Sequence, residues 1–209
     1  MVVTKIMKKK ANYDIYIDEE YSFTLTDEGL YKSKLKNGTE FIITEELNGI
    51  LKEDEAKRCK NRALKIITTS SKSENKIKEK LTREGYSEYA IEIALGFLRD
   101  YKFTNDEKLA KNLANQSIRK NSSILQTKQN LRNKGIKKED IEKALEEIDE
   151  DDEIENAINV ANKKYNTIKN KEKDEILRKI AYTLNYRGFS YRAVDKALQN
   201  IKDKLKENE

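Results

Sequence analysis

The chain has 209 residues, 39% of them charged and only 36% drawn from the AVILMFWYC set, with 43 basic against 38 acidic side chains and a net charge of +5. So thin an apolar supply argues against one thick-cored sandwich and favours small helical modules, and the lack of proline with only 7 glycines suits helices joined by short polar turns. With no histidine and a single cysteine, zinc ligation and Ser-His or Cys-His nucleophilic chemistry lack their residues, so a non-enzyme without cofactor or metal is expected.

The first residues, Met1 to Lys5, carry no sustained apolar run, and nowhere do about 18 apolar residues follow one another. A cytoplasmic chain with no membrane segment is expected. Residues 1–26 alternate as strands do: Tyr13, Ile15 and Ile17 share one face, and Tyr21, Phe23 and Leu25 repeat the pattern after the acidic turn Asp18-Glu19-Glu20. The spacing predicts a β-hairpin, and Val2, Thr4 and Ile6 supply a third strand because a lone hairpin is barely stable in water. Thr26 is placed to cap a short helix through Leu30, Tyr31 and Leu35 that stops at Asn37-Gly38. Residues 1–53 therefore read as a small α+β N-terminal extension.

From Asp54 the strand signal disappears and an internal repeat takes over. Aligning Gly85, Gly135 and Gly188, which lie 50 and 53 residues apart, puts Leu81, Leu131 and Leu184 in one column. Ile77, Thr127 and Ile180 fall one helical turn earlier. After the glycines come Tyr86, Ile136 and Phe189, then Ile91, Ile141 and Val194, then the Ala-Leu pairs at 94–95, 144–145 and 197–198. The stripe before each glycine is the buried face of a helix, the glycine is a left-handed cap, and the polar stretch after it starts the next helix. Leading helices are expected near residues 54–69, 106–120 and 152–168. The predicted fold is mainly α, with three tandem three-helix repeats at 54–104, 105–149 and 150–209 strung into an elongated, curved rod. Cys59, between Lys and Arg neighbours in the first leading helix, reads as incidental.

Charge is unevenly spread. Residues 1–53 carry 8 basic and 10 acidic groups, 54–104 carry 12 and 8, 105–149 carry 10 and 8, and 150–209 carry 13 and 12. A helix-turn-helix reading suggests itself, but the last helices of the copies carry Glu88 and Glu92, then Glu139, Asp140, Glu142, Glu146 and Glu147, then Asp195, which phosphates would repel. Basic side chains gather instead on the middle helices and turns. Lys76, Lys80 and Arg83 share a face in the first copy, Lys128 and Arg132 in the second, Arg119 and Lys120 close a leading helix, and Lys134 and Arg187 precede cap glycines. Each is equally readable as part of a solvated face. The acidic run Glu146 to Glu155 reads as a linker whose carboxylates favour the start of the next helix. Tyr186 and Tyr191, with Arg187 and Arg192, form a candidate partner-facing patch, whereas Phe189 belongs to a core column.

Three segments resemble the RecX regulators of the bacterial recombinase RecA: Phe103 to Asp106 with Leu109-Ala110, Leu131-Arg132-Asn133-Lys134-Gly135-Ile136, and Leu184 with Arg187-Gly188-Phe189-Ser190. The first copy departs from the family pattern, with Ser70 and Lys72 ahead of Ser73 where many relatives have arginines. The resemblance implies a protein that lies along the RecA-DNA filament and restrains strand exchange and ATP turnover in recombination, DNA repair and the SOS response; a monomer is expected because no uninterrupted heptad seam or long apolar patch demands a dimer. Single- and double-stranded DNA would be touched only non-specifically. Lys76, Lys80, Arg83, Arg119, Lys120, Lys128, Arg132, Lys134, Arg187 and Arg192 are the contacts this reading selects. The alternatives are a free-standing DNA-binding protein and a helical-repeat adaptor for another protein.

Overall fold

The computed structural model of the chain describes residues 1–207. Among them the order is β1 (Val3–Lys9), β2 (Asn12–Ile17), β3 (Glu20–Thr26), α1 (Asp27–Ser33), α2 (Glu45–Thr69), α3 (Glu74–Arg83), α4 (Glu88–Asp100), α5 (Asp106–Arg119), α6 (Ile124–Asn133), α7 (Lys138–Glu146), α8 (Glu150–Ile168), α9 (Lys173–Tyr186) and α10 (Tyr191–Glu207). These elements form two compact units, Met1–Thr104 and a second that begins at Asn105. The fold is mainly helical with a β-bearing N-terminus, as the periodicity implies.

In the first unit the strands form an antiparallel sheet in the order β1-β2-β3, so the third strand is present. Ile15, Ile17 and Leu25 are buried with Val3, Leu35, Phe41 and Leu47. Tyr21 departs from the expected face. The register shifts between Ile15 and Tyr16, which sets Tyr21 opposite Tyr16, and the two rings meet edge to face on the exposed side at 6.1 Å. An irregularity of this kind turns subsequent side chains over, so strict alternation misplaces them.

Thr26 does cap α1, its hydroxyl accepting from Gly29 N at 3.1 Å. That helix ends at Lys34, which takes the left-handed conformation, rather than at Asn37-Gly38. α2 begins at Glu45 rather than near residue 54, and its 25 residues serve two cores. Leu47 and Leu51 pack on the sheet, while Ala56, Cys59, Ala63 and Ile66 pack on α3 and α4. Between these stretches lies Asp54, a buried carboxylate that accepts from Thr26 N at 3.1 Å, from the Thr26 hydroxyl and from Arg58 Nε at 3.0 Å. It ties the strand-helix junction to α2, and a buried carboxylate without such donors would be strongly destabilising.

The three repeated turns are built alike. Gly85, Gly135 and Gly188 have φ of +87°, +76° and +74°. The residue after each glycine donates back to the aligned leucine carbonyl at 3.2 Å: Tyr86 to Leu81, Ile136 to Leu131, Phe189 to Leu184. Each glycine N–H bonds to the carbonyl three residues earlier, in Thr82, Arg132 and Asn185. These are paired Schellman bonds, which satisfy the last helical carbonyls and need a residue without a Cβ penalty at the glycine. The leucines are fully buried, and so are Ile77, Thr127 and Ile180 one turn earlier. Serines at 73, 87, 123 and 190 cap or start the following helices through their hydroxyls.

Candidate functional site

On α3 in the first unit, Lys76, Lys80 and Arg83 follow one another at helical spacing. Lys76 Nζ is 2.7 Å from Glu79 Oε2, whereas Lys80 and Arg83 close the last turn, where cations suit the helix dipole. Lys76 and Lys80 each stand one residue before a core position, Ile77 or Leu81. On α6, Lys128 and Arg132 each stand one residue after a core position, Thr127 or Leu131. At about 100° per residue the two basic rows lie on opposite flanks of their core stripes. The repeat therefore copies its core, not its charged face.

In the second unit, side chains far apart in sequence fix one corner. α5 ends through Asn121, left-handed at φ 57°, and the Ser123 hydroxyl both caps α6 and donates to Arg187 O at 2.6 Å. Asn156 Nδ2 donates to Ile118 O at 3.0 Å and Ser122 O at 3.3 Å, and Glu153 Oε1 accepts from Ile124 N at 2.9 Å. Glu153 and Asn156 are both buried. The segment bearing Arg119 and Lys120, the start of α6 below Lys128, and the turn bearing Arg187 are thereby held against one another. Leu125 sits over Gly188 and is 59% exposed, an apolar tip amid these cations. Arg132 and Lys134 lie toward the other end of α6, which is about 15 Å long.

Arg192 is ion-paired to Glu150, so it, like Lys76, already has an internal partner. Among the described residues, Arg119, Lys120, Lys128, Arg132 and the Arg187 side chain have no ion-pair partner. Tyr182 and Tyr186, one turn apart on α9, stack at 6.2 Å with their planes 18° apart, and are 71% and 82% exposed. Tyr191 is 87% exposed, while Phe189 is buried, as its column requires. The tyrosine patch thus has its rings in solvent, next in sequence to Arg187.

Sequence reasoning overlooked the joint residues Asp54, Ser123, Glu153 and Asn156. Glu153 hides in an acidic run, and only its place one helical turn ahead of Ala157, on the inward side of α8, hints at burial. Cys59 is buried in the first helical core, and burial pushes its thiol up to about 12, leaving it protonated and unreactive. No cluster of three or more metal-ligating side chains occurs among the described residues, and none of their helices is long and apolar enough to cross a membrane.

Comparison with known proteins agrees with this architecture. Family models for the first and third three-helix domains of RecX match residues 59–98 and 150–198. Regulatory protein RecX of Clostridioides difficile (strain 630) is 38% identical over 204 residues, covering 96% of this chain and 95% of its own. Its counterpart in Clostridium perfringens (strain SM101) is 34% identical, covering 90% of this chain and 91% of its own. A crystal structure of regulatory protein RecX matches with a TM-score of 0.67 at 26% identity, covering 94% of this chain and 98% of that one. With such identity over nearly the full length of both chains, this chain belongs to the RecX family of regulatory proteins.

Proposed function

We propose that this chain regulates the RecA recombinase by binding the RecA-DNA filament, restraining strand exchange and ATP hydrolysis in homologous recombination, DNA repair and the SOS response. Membership of the RecX family supports the partner. The observation that carries the contact surface is the braced corner of the second unit, where Arg119, Lys120, Lys128 and Arg187 are presented without internal ion-pair partners. A cationic surface held by buried hydrogen bonds meets phosphate or acidic protein without having to order itself first. Lys76, Lys80, Arg83, Arg132 and Lys134 extend the contact, and Arg192 joins it by exchanging Glu150 for a partner group. The chain acts by occupancy rather than by catalysis of its own, as a monomer in the cytoplasm.

The test is RecA-catalysed ATP hydrolysis on single-stranded DNA at increasing concentrations of this protein. A dose-dependent fall is expected, and no change at saturating protein overturns the reading. Reversing the charges of Lys128, Arg132 and Lys134 together should weaken filament binding at moderate salt; unchanged binding removes these residues from the contact. The exposed Tyr182–Tyr186 stack supports a second reading, in which unpaired bases are bound without RecA. Tight, steeply salt-dependent binding to bare single strands would favour it.

A further inference from the structure

In the first unit a groove of about 490 Å³ runs along α2 and α4. Its walls are rows at four-residue spacing: Ala56, Lys60 and Leu64 on α2, Tyr89, Ile93 and Phe97 on α4. From these observations we propose that the groove docks an acidic amphipathic helix of a partner protein.

The shape argues for a helix. Rows at i, i+4 and i+8 are the ridges and furrows into which another helix packs. Both walls are helices whose backbone groups are already bonded within them, so an extended strand would find no ladder to join. Eight residues separate Tyr89 from Phe97 along α4, a span of about 12 Å and so a little over two turns of a partner. Beyond Phe97 the apolar surface continues through Tyr101 and Phe103. Their rings lie 4.7 and 6.1 Å from that of Phe97 and stack on one another at 6.2 Å, both largely in solvent.

The charge of the rim selects an acidic occupant. Lys52 Nζ lies 5.9 Å from the Tyr89 ring centroid and Lys60 Nζ 5.7 Å from that of Phe97. Neither has a carboxylate partner among the described residues. The nearby carboxylates are committed elsewhere. Glu88 and Glu92 reach Lys78 at 3.4 and 3.0 Å, Glu55 holds the Ser87 N–H and hydroxyl, and Glu84 pairs with Arg62 at 2.7 Å. Of the remaining lining charges, Lys57 is paired with Glu28, which leaves Glu53 as the acidic side chain at the rim. Two ammonium groups resting on ring faces have a charge-assisted hydrogen bond to gain from an incoming Asp or Glu. A second copy of the chain is disfavoured as occupant, since an isologous contact would set the same lysines against each other.

The probe is a fluorescently labelled synthetic helix of about 16 residues, with Leu and Phe on one face and Glu on its flanks, titrated into the full chain. Saturable, salt-sensitive binding is expected, with backbone amide shifts confined to residues 52–64 and 89–103. A Lys52→Glu/Lys60→Glu double variant, folded by circular dichroism, should bind at least about tenfold more weakly. Tyr89→Ala, which truncates an exposed ring, should weaken binding without altering the fold. The proposal is overturned by absence of saturable binding, by equal binding of a peptide with Lys in place of Glu, or by shifts outside the groove. Self-association of the unmodified chain that Lys60→Glu abolishes also overturns it, because the occupant would then be a second copy. Neither RecA nor DNA enters the assay, so its outcome is separate from that of the ATPase test.

Discussion

Truncating Glu153 to alanine should destabilise the second unit far more than its place in an acidic run suggests. The side chain is 5% exposed, and its Oε1 takes the N–H of Ile124, the first residue of α6, at 2.9 Å. A charge-assisted hydrogen bond of this kind contributes about 1.5–3 kcal/mol. A carboxylate at a partly buried helix N-terminus adds up to about 2 kcal/mol. Relief from desolvating the charge offsets part of that sum, so the net cost of Glu153→Ala is about 2–3 kcal/mol. For a unit of about 100 residues this lowers Tm by about 10 °C or more. Glu153→Gln keeps an acceptor in place but loses the charge, and should cost about 1 kcal/mol. Glu155→Ala, on the same helix but exposed, should stay within about 0.5 kcal/mol of the parent. Urea unfolding followed by circular dichroism, with hydrogen exchange read at the Ile124 amide, measures all three. Equal unfolding midpoints for the 153 and 155 alanine variants, with Ile124 exchange unchanged, would refute the reasoning.

The cap glycines should differ in tolerance. Gly85→Ala meets open space and bears only the left-handed backbone penalty, about 1–2 kcal/mol, whereas Gly188→Ala also places a Cβ 2.8 Å from Leu125 Cδ2. Gly188→Ala should therefore cost more in thermal unfolding, and a Leu125→Ala background, which leaves only the residue-125 Cβ at 3.2 Å, should narrow the difference. Thr127 occupies a column otherwise filled by isoleucine, and its buried hydroxyl oxygen lacks a hydrogen-bond partner among the described residues. Thr127→Val, close in volume, should raise stability by about 1 kcal/mol; a fall on calorimetry would show that the hydroxyl is satisfied in solution. Glu28, between Lys32 and Lys57, has its carboxyl held down from 4.5 to about 2 by their hydrogen bonds. A carboxyl lowered on folding contributes stability that is present above pH 4.5 and lost as pH falls from there to about 2. Titration of the Glu28 side-chain carbon by NMR should give a midpoint near 2, and Lys57→Ala should move it upward.

The parts of the fold legible in the residues are those whose causes are local. Leu81, Leu131 and Leu184 with their glycines announce three capped helices, and the bonds of each turn span at most five residues. Alternation revealed the strands, but not the register shift at Ile15 and Tyr16 that turns Tyr21 outward. The basic candidates were visible as residues. Their rows on single helices were visible too, but not the corner that gathers Arg119, Lys120, Lys128 and Arg187, because it rests on hydrogen bonds between helices far apart in the chain. The α2–α4 groove was likewise hidden: Tyr89, Ile93 and Phe97 recur at four-residue spacing beside the core columns, and nothing local says whether such a row is covered.

Helix identity, cap chemistry and the buried stripe belong to the sequence alone, since they depend on neighbours within one or two turns. Tertiary structure decided which polar side chains became joints. Thr26 meets Asp54 across 28 residues, Ile124 meets Glu153 across 29, and Ser123 meets Arg187 across 64. A carboxylate or hydroxyl carries no mark of burial in itself; it is buried only where folding brings a donor or acceptor to it, and that partner is chosen by the packing of helices far apart in the chain.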